Sequence, residues 1–171
     1  MLDVSMIGKI IQCHIDHSDP ETFVVGRLVY FDTDWFLMQD LTPAGRWNGL
    51  ALYMLSDVVS VNEFTDYIHR IVSLIKYRTE ALPVVPPIFN DPLTSLLVYA
   101  RDSNRVIGLE LYASGYRDIN GTVISLTKNN VCINQIDEFG RTDGKSYLSV
   151  NSITRCYLDD EESTCLAILR E

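Results

Sequence analysis

The densest group of side chains able to bind a metal is Cys13, His14 and His17. A zinc site needs thiolate or imidazole groups that converge tetrahedrally on one ion. Successive side chains of a strand point to opposite faces, so Cys13 and His14 would diverge in an extended segment. The spacing also matches no recognised zinc pattern. We therefore expect the end of a strand that runs into a loop, keep zinc as the weaker alternative, and expect no cofactor.

Two arginines, Arg46 and Arg141, stand at equivalent positions in loops that share the pattern Gly-Arg-x-[Asn/Asp]-Gly. A guanidinium can fix its own loop by donating to backbone carbonyls, which is the interpretation we favour; the alternative is a contact with an anion or ligand, once per loop. Segment 137–144 also has the acidic, glycine-containing composition of a calcium loop, but it lacks the EF-hand order and its final glutamate. Turn geometry explains the residues that segments 42–49 and 137–144 have in common better than calcium binding does.

Four aromatic residues surround the loops of the first half: Tyr30, Trp35, Trp47 and Tyr53. Aromatic side chains near loop tips are typical of protein or peptide sites, and they can equally fill the interior of a small β domain. Both interpretations stay open for these four residues.

An enzyme would find little acid–base chemistry in this chain. All three histidines (His14, His17 and His69) lie in the first half, and the sequence has no Ser–His–Asp arrangement, phosphate-binding glycine loop or HExxH motif. We predict a non-enzymatic protein without catalytic residues. The enzyme alternative would require a closed pocket that gathers one of these histidines with a carboxylate.

The elements that carry these residues occur twice, because a shift of 95 residues aligns the two halves without a gap. The unchanged positions are Gly26, Gly45, Arg46, Gly49 and Leu74, which recur as Gly121, Gly140, Arg141, Gly144 and Leu169. An internal repeat of this length indicates one small β-rich unit built twice.

Apolar runs and turn residues predict five strands in each unit. The predicted strands cover 7–15, 22–31, 34–41, 50–55 and 58–63, and then 105–113, 119–127, 130–136, 145–150 and 153–158. Asn48-Gly49 and Asp143-Gly144 are expected to complete the loops that reverse the chain before the fourth strands.

Each unit is predicted to end in a helix. The first helix has an apolar stripe from Tyr67 to Ile75 and is capped by Thr65 or Asp66; the second has an acidic first turn over 159–162. A further helix is predicted to start at Pro92, with Asp91 as its cap, and to run to about Arg101. The predicted domains are 1–80, a proline-rich connector over 81–92, and 93–171.

The composition is that of a folded globular protein, with 47% hydrophobic and 22% charged residues among 171. The net charge of −9 disfavours broad binding to a phosphate backbone. The four cysteines lack a CxxC pair, so we expect reduced, buried thiols in a cytoplasmic protein. We also find no signal peptide or membrane-spanning stretch.

The first unit resembles the Sm family, because Gly26–Leu37 is similar to the first Sm motif. In the second unit, segment 151–159 resembles the part that follows the Arg-Gly of the second Sm motif. The resemblance implies a mainly β fold with flanking helices: two tandem five-stranded SH3-like or Sm-like barrels, each followed by a helix. The chain is also similar to uncharacterised bacterial proteins built as tandem barrels of this kind.

Sm-type RNA sites use a loop asparagine and an Arg-Gly, and this chain departs from that pattern. Phe36 and Val131 occupy the asparagine position, neither unit has Arg-Gly before its fifth strand, and Thr127 stands at the position of Asp32. The resemblance therefore implies a fold more than an RNA site, and a fold alone does not fix a function.

We expect a binding or scaffold module for a protein partner that uses an exposed strand edge and the following binding residues: Arg46, Arg141, Trp35, Trp47, Tyr30 and Tyr53. The alternative is an RNA-binding regulator, disfavoured by the acidic charge, which would need basic side chains on one face: Arg27, Arg46, Lys128, Arg141, Lys145 and Arg155. No membrane partner is expected, and assembly into a homo-oligomer stays open.

Overall fold

The structure, a computed structural model, describes residues 1–170 as two compact units that divide between Val85 and Pro86. This division lies inside the predicted connector 81–92. All strand pairings within the units are antiparallel. The prediction of a mainly β fold with helices is confirmed.

The first unit contains five strands and one α-helix. The elements are β1 (Ile10–His14), β2 (Phe23–Phe31), β3 (Trp35–Leu41), β4 (Trp47–Met54), β5 (Ser60–Asn62) and α1 (Asp66–Ile75). The strands follow the order β5-β1-β2-β3-β4, and one turn of 3-10 helix joins β4 to β5.

The second unit repeats this layout and adds a helix before it. The elements are α2 (Pro92–Asp102), β6 (Val106–Leu111), β7 (Ile119–Leu126), β8 (Asn130–Ile136), β9 (Thr142–Ser149), β10 (Ile153–Leu158) and α3 (Glu161–Arg170). The strand order β10-β6-β7-β8-β9 matches that of the first unit, with a 3-10 turn again before the last strand.

The expectation of closed barrels was wrong. In each unit the five strands form an open antiparallel order, and among residues 1–170 no pairing joins β4 to β5 or β9 to β10. In the first unit, β5 is only three residues long and pairs with β1. In the second unit, β10 has six residues but pairs with β6 and not with β9.

The two units share the positions at which the strand register shifts. In the first unit the strand register shifts between Leu28 and Tyr30 and between Gln39 and Leu41, and the second unit shifts at the residues 95 positions further on. The repeat breaks before β2 and β7: Ile11 pairs with Gly26 but Ile107 with Gly121, so the second unit is one residue shorter there.

Asn48-Gly49 and Asp143-Gly144 do not complete turns, contrary to the prediction. Both pairs lie inside strands β4 and β9, where the register shift adds one residue and the glycines have φ of 71° and 84°. A glycine with positive φ in such a bulge bends the strand. The chain instead reverses over Thr42–Arg46, where Thr42 N–H donates to the Arg46 carbonyl at 2.9 Å.

The helices begin where the sequence indicates. Thr65 Oγ1 accepts the Ile68 amide at 3.2 Å at the start of α1, and Asp91 Oδ2 accepts the Thr94 amide at 2.7 Å at the start of α2. Ile71 of α1 is fully buried and packs with Val25 and Leu41. In the second unit the corresponding cluster is Val106, Ile136 and Leu166.

Three of the four free cysteines are buried, as expected, but Cys165 is exposed on α3. No helix formed by residues 1–170 has the length and apolar character needed to cross a membrane.

Candidate functional site

Arg46 is an exposed residue at the end of the β3–β4 loop, and it contacts a carboxylate. Its Nη1 lies 3.7 Å from Oε1 of Glu80. The loop carbonyls are occupied by other arginines: Pro43 O accepts from Arg70 and Ala44 O from Arg78. The guanidinium of Arg46 therefore does not fix its own loop through carbonyls, as the favoured interpretation required.

Arg141 has the same backbone setting but a different partner. Its guanidinium pairs with Asp137 at 2.8 Å and lies over the ring of Phe139 at 4.8 Å. Desolvation raises the pKa of the Asp137 carboxyl, but hydrogen bonds from Arg141 and from the Phe139 amide outweigh it, so that pKa lies below its ordinary value. The two repeated arginines share a position and not an interaction.

The four predicted aromatic residues divide between core and half-buried positions. Tyr53 is 2% exposed and stacks on Phe36, with ring centroids 5.1 Å apart, so it belongs to the core. Trp47 packs against the core cluster that Ile71 of α1 forms with Val25 and Leu41, and Arg27 lies over the Trp47 ring at 5.3 Å. Tyr30 and Trp35 are half-buried beside the β2–β3 turn.

Cys13, His14 and His17 do not converge. Cys13 is fully buried, and burial raises the pKa of its thiol to about 12. The His14 ring nitrogen Nδ1 lies 2.6 Å from Pro20 O, and His17 Nε2 lies 3.1 Å from Ser56 O. Within residues 1–170 no group of three or more His, Cys, Asp or Glu side chains could hold a metal ion.

Three of the basic residues named for the RNA alternative have separate partners. Arg155 is mostly buried and pairs with Glu110, Arg141 pairs with Asp137, and Arg27 stacks on Trp47.

The loop between β6 and β7, residues 112–118, is a further candidate site that the residue types did not indicate. Tyr112 and Tyr116 are 78% and 76% exposed, more than any of the four predicted aromatic residues. Tyr112 and Ala113 both have φ of 52°. Residues other than glycine, asparagine and aspartate seldom adopt this conformation, and it costs free energy unless the surroundings impose it.

A buried ion pair lies beneath this loop. Glu110 is 1% exposed, and its Oε2 lies 3.1 Å from Nη1 of Arg155. The other oxygen, Oε1, accepts the Gly115 amide at 3.2 Å. A charged pair removed from water is favourable only when such hydrogen bonds complete it, so Glu110 connects the core of the unit to the loop.

Three further hydrogen bonds fix the loop backbone. The Tyr112 amide donates to Ser152 O at 2.9 Å, and the Ala113 amide donates to Thr154 Oγ1 at 3.0 Å. Asp118 Oδ2 accepts the Leu111 amide at 2.7 Å. The loop therefore presents two exposed tyrosines on a backbone held at both ends and in the middle.

Comparisons with protein-family models, with curated proteins and with solved structures give no match to this chain.

Proposed function

We propose that the protein is a non-enzymatic protein-binding module and that loop 112–118 is its principal contact surface. The observation that carries the proposal is the combination of two tyrosines more than three-quarters exposed with a backbone fixed by the Glu110–Arg155 pair. An exposed aromatic ring on a rigid loop has no role in the core, and its exposure costs free energy in the absence of a partner.

Tyrosine suits this role for physical reasons. Its side chain has only two torsions, so ordering it at an interface costs little entropy while it provides a large contact area and one hydroxyl. A loop that is already in its bound conformation avoids the further entropy cost of ordering its backbone on binding.

The same proposal includes a relation to SH3-like or Sm-like folds, with each unit as an opened form of such a barrel. It is supported by the five antiparallel strands of each unit and by the short 3-10 turn between the fourth and fifth. The RNA alternative has no comparable support, because Arg155 is committed to Glu110 and Arg141 to Asp137.

The test is affinity capture from extract of the native cells, with and without nuclease treatment, with the full chain as bait. We compare the wild-type chain with the double variant Tyr112→Ser/Tyr116→Ser. The matched control is Tyr147→Ser, which removes a tyrosine that is 78% exposed on strand β9 of the same unit. We expect a defined protein that the wild type and the control retain and that the double variant loses.

Two results would overturn the proposal. One is a set of captured proteins that is the same for the wild type and the double variant. The other is co-purification of RNA whose removal by nuclease abolishes all capture, which would favour the RNA-binding alternative.

A further inference from the structure

We propose that the first unit carries a second, independent contact surface that binds a short acidic segment of a partner protein. We call this surface the arginine platform and define it as Arg46, Arg70 and Arg78, with Lys76 and Tyr77 beside them. It lies around the β3–β4 loop and the carboxyl end of α1, and it does not depend on the tyrosines of loop 112–118.

Two guanidiniums of the platform are held by consecutive carbonyls of the β3–β4 loop. Arg70 Nη1 donates to Pro43 O at 3.1 Å, and Arg78 donates to Ala44 O through Nη2 at 2.6 Å and Nε at 3.2 Å. These acceptors are neutral, so both side chains keep a full positive charge. Among residues 1–170 neither Arg70 nor Arg78 forms an ion pair.

The donors that remain suit carboxylates. A guanidinium has five N–H donors in a fixed planar fork, and Arg70 and Arg78 use only some of them on the loop. The loop beneath is fixed, because Gly45 lies tightly against Leu74 of α1. The charged groups are therefore held in place before any partner arrives, which lowers the entropy cost of binding.

The chain itself provides one example of the interaction. The carboxylate of Glu80 lies 3.7 Å from Arg46, and both side chains are substantially exposed, at 39% and 58%. An exposed pair at this distance is weak, so a partner carboxylate can displace Glu80 at little cost. Tyr77 is 86% exposed next to Arg78, and tyrosine and arginine are the residue types that most often dominate binding energy at protein interfaces.

Arg46 recurs as Arg141, but the rest of the platform is not part of the repeated scaffold. The residue equivalent to Arg70 is Cys165, and the loop equivalent to 42–46 carries Asp137 and Glu138. A surface that the second unit lacks cannot be explained by the shared fold, and this difference points to a function of the first unit alone.

A short acidic segment fits better than a nucleic acid. The structure already places one carboxylate, that of Glu80, against Arg46, so the guanidiniums are arranged to accept a glutamate or aspartate side chain. The net charge of the chain is −9, which disfavours binding of a long phosphate backbone.

The experiment measures fluorescence anisotropy of labelled octaglutamate with the full chain at low salt and at high salt. The variants are Arg46→Gln, which does not disturb the loop carbonyls, and the double variant Arg70→Gln/Arg78→Gln. The matched control is Arg101→Gln, an exposed arginine of α2 that pairs with the adjacent Asp102. Labelled octauridylate, with a similar charge, is the second probe.

We expect octaglutamate to bind at low salt and to be released at high salt. Arg46→Gln should weaken binding about threefold and the double variant about tenfold or more, as expected for exposed charge pairs. Arg101→Gln and Tyr112→Ser/Tyr116→Ser should leave it unchanged, which separates this surface from the tyrosine loop.

Three results would overturn the proposal. The first is that octaglutamate does not bind at low salt. The second is that Arg46→Gln and Arg101→Gln weaken binding equally. The third is that octauridylate binds more tightly through the same arginines, which would assign the platform to nucleic acid.

Discussion

Gly45 lies so close to Leu74 that a Cβ atom on the glycine would be 2.6 Å from the Cβ of the leucine. The second unit repeats the relationship between Gly140 and Leu169, at 2.5 Å. Both glycines also have positive φ, of 71° and 78°. The repeated glycine is therefore explained by one contact. In each unit, the loop between the third and fourth strands packs directly against the last turn of the following helix.

Gly45→Ala should destabilise the first unit by about 2–4 kcal/mol, because the positive φ and the collision with Leu74 both cost free energy. Urea unfolding followed by tryptophan fluorescence measures this unit, since both tryptophans of the chain lie in it. The control is Gly8→Ala, where φ is 85° but an added Cβ meets nothing within 4 Å. Equal losses for the two variants would show that the Leu74 contact is unimportant.

Arg117→Met should destabilise the second unit by about 3–5 kcal/mol, the usual cost of leaving one charge of a buried ion pair without its partner. Arg117 donates to Asp160, which is 7% exposed, and to Ser163 Oγ at 2.9 Å. Protection of the α3 amides against hydrogen exchange reports the loss. Arg101→Met, which breaks an exposed pair, should cost less than about 1 kcal/mol; a similar effect of both variants would contradict the assignment.

The repeat explains why the outline of the fold could be predicted and why this ion pair could not. Positions that cap a helix recur in both units. Thr65 and Asp160 are equivalent, and each accepts a helix amide at 3.2 Å, from Ile68 and from Ser163. In the first unit Gln12 accepts a hydrogen bond from Thr65 at 3.1 Å. In the second unit the strand position of Gln12 is held by Gly108, and the Arg117 guanidinium occupies the free space.

Loop 112–118 could not be predicted for a related reason. Turn residues such as Gly115 are visible in a sequence, but nothing in the residue types of Tyr112 and Ala113 indicates positive φ. The backbone there is held by Ser152 and Thr154, which are about 40 residues away in sequence, and by Glu110, whose pairing with Arg155 on another strand the sequence does not show. Closed barrels were expected because strand number and turn spacing are local properties, whereas closure depends on pairing between β4 and β5.

Cys13 should make the first unit sensitive to alkali. Burial raises the pKa of its thiol from 9.0 to about 12, so the folded state holds the proton more tightly than the unfolded state. The resulting stability is complete below pH 9 and is lost as the pH rises toward 12. At pH 10.5 the loss is about 2 kcal/mol.

Cys13→Ala removes this titration, so its destabilising effect should be about 2 kcal/mol smaller at pH 10.5 than at pH 7.5. Urea titrations at both pH values, followed by tryptophan fluorescence, measure the difference. Cys165→Ala changes an exposed thiol and should show no such dependence. A cost of Cys13→Ala that is the same at both pH values would show that the thiol is not desolvated.

Glu110→Ala should both destabilise the second unit and release loop 112–118. It removes the acceptor of the Gly115 amide and leaves Arg155, whose side chain is 17% exposed, without the carboxylate that pairs with it at 3.1 Å. We expect a loss of about 3–5 kcal/mol and faster hydrogen exchange at the Ala113 and Gly115 amides.

The conservative variant Glu110→Gln separates these two effects. Its amide oxygen can still accept the Gly115 amide, but it cannot neutralise Arg155, so stability should fall while the Gly115 amide keeps part of its protection relative to Glu110→Ala. Because Tyr112 and Tyr116 stay exposed in both variants, partner binding should weaken in the order wild type, Gln and Ala if pre-organisation of the loop contributes to affinity. Unchanged exchange at Gly115 in Glu110→Ala would mean that the loop is held from Ser152 and Thr154 alone, and that the buried ion pair serves only the core.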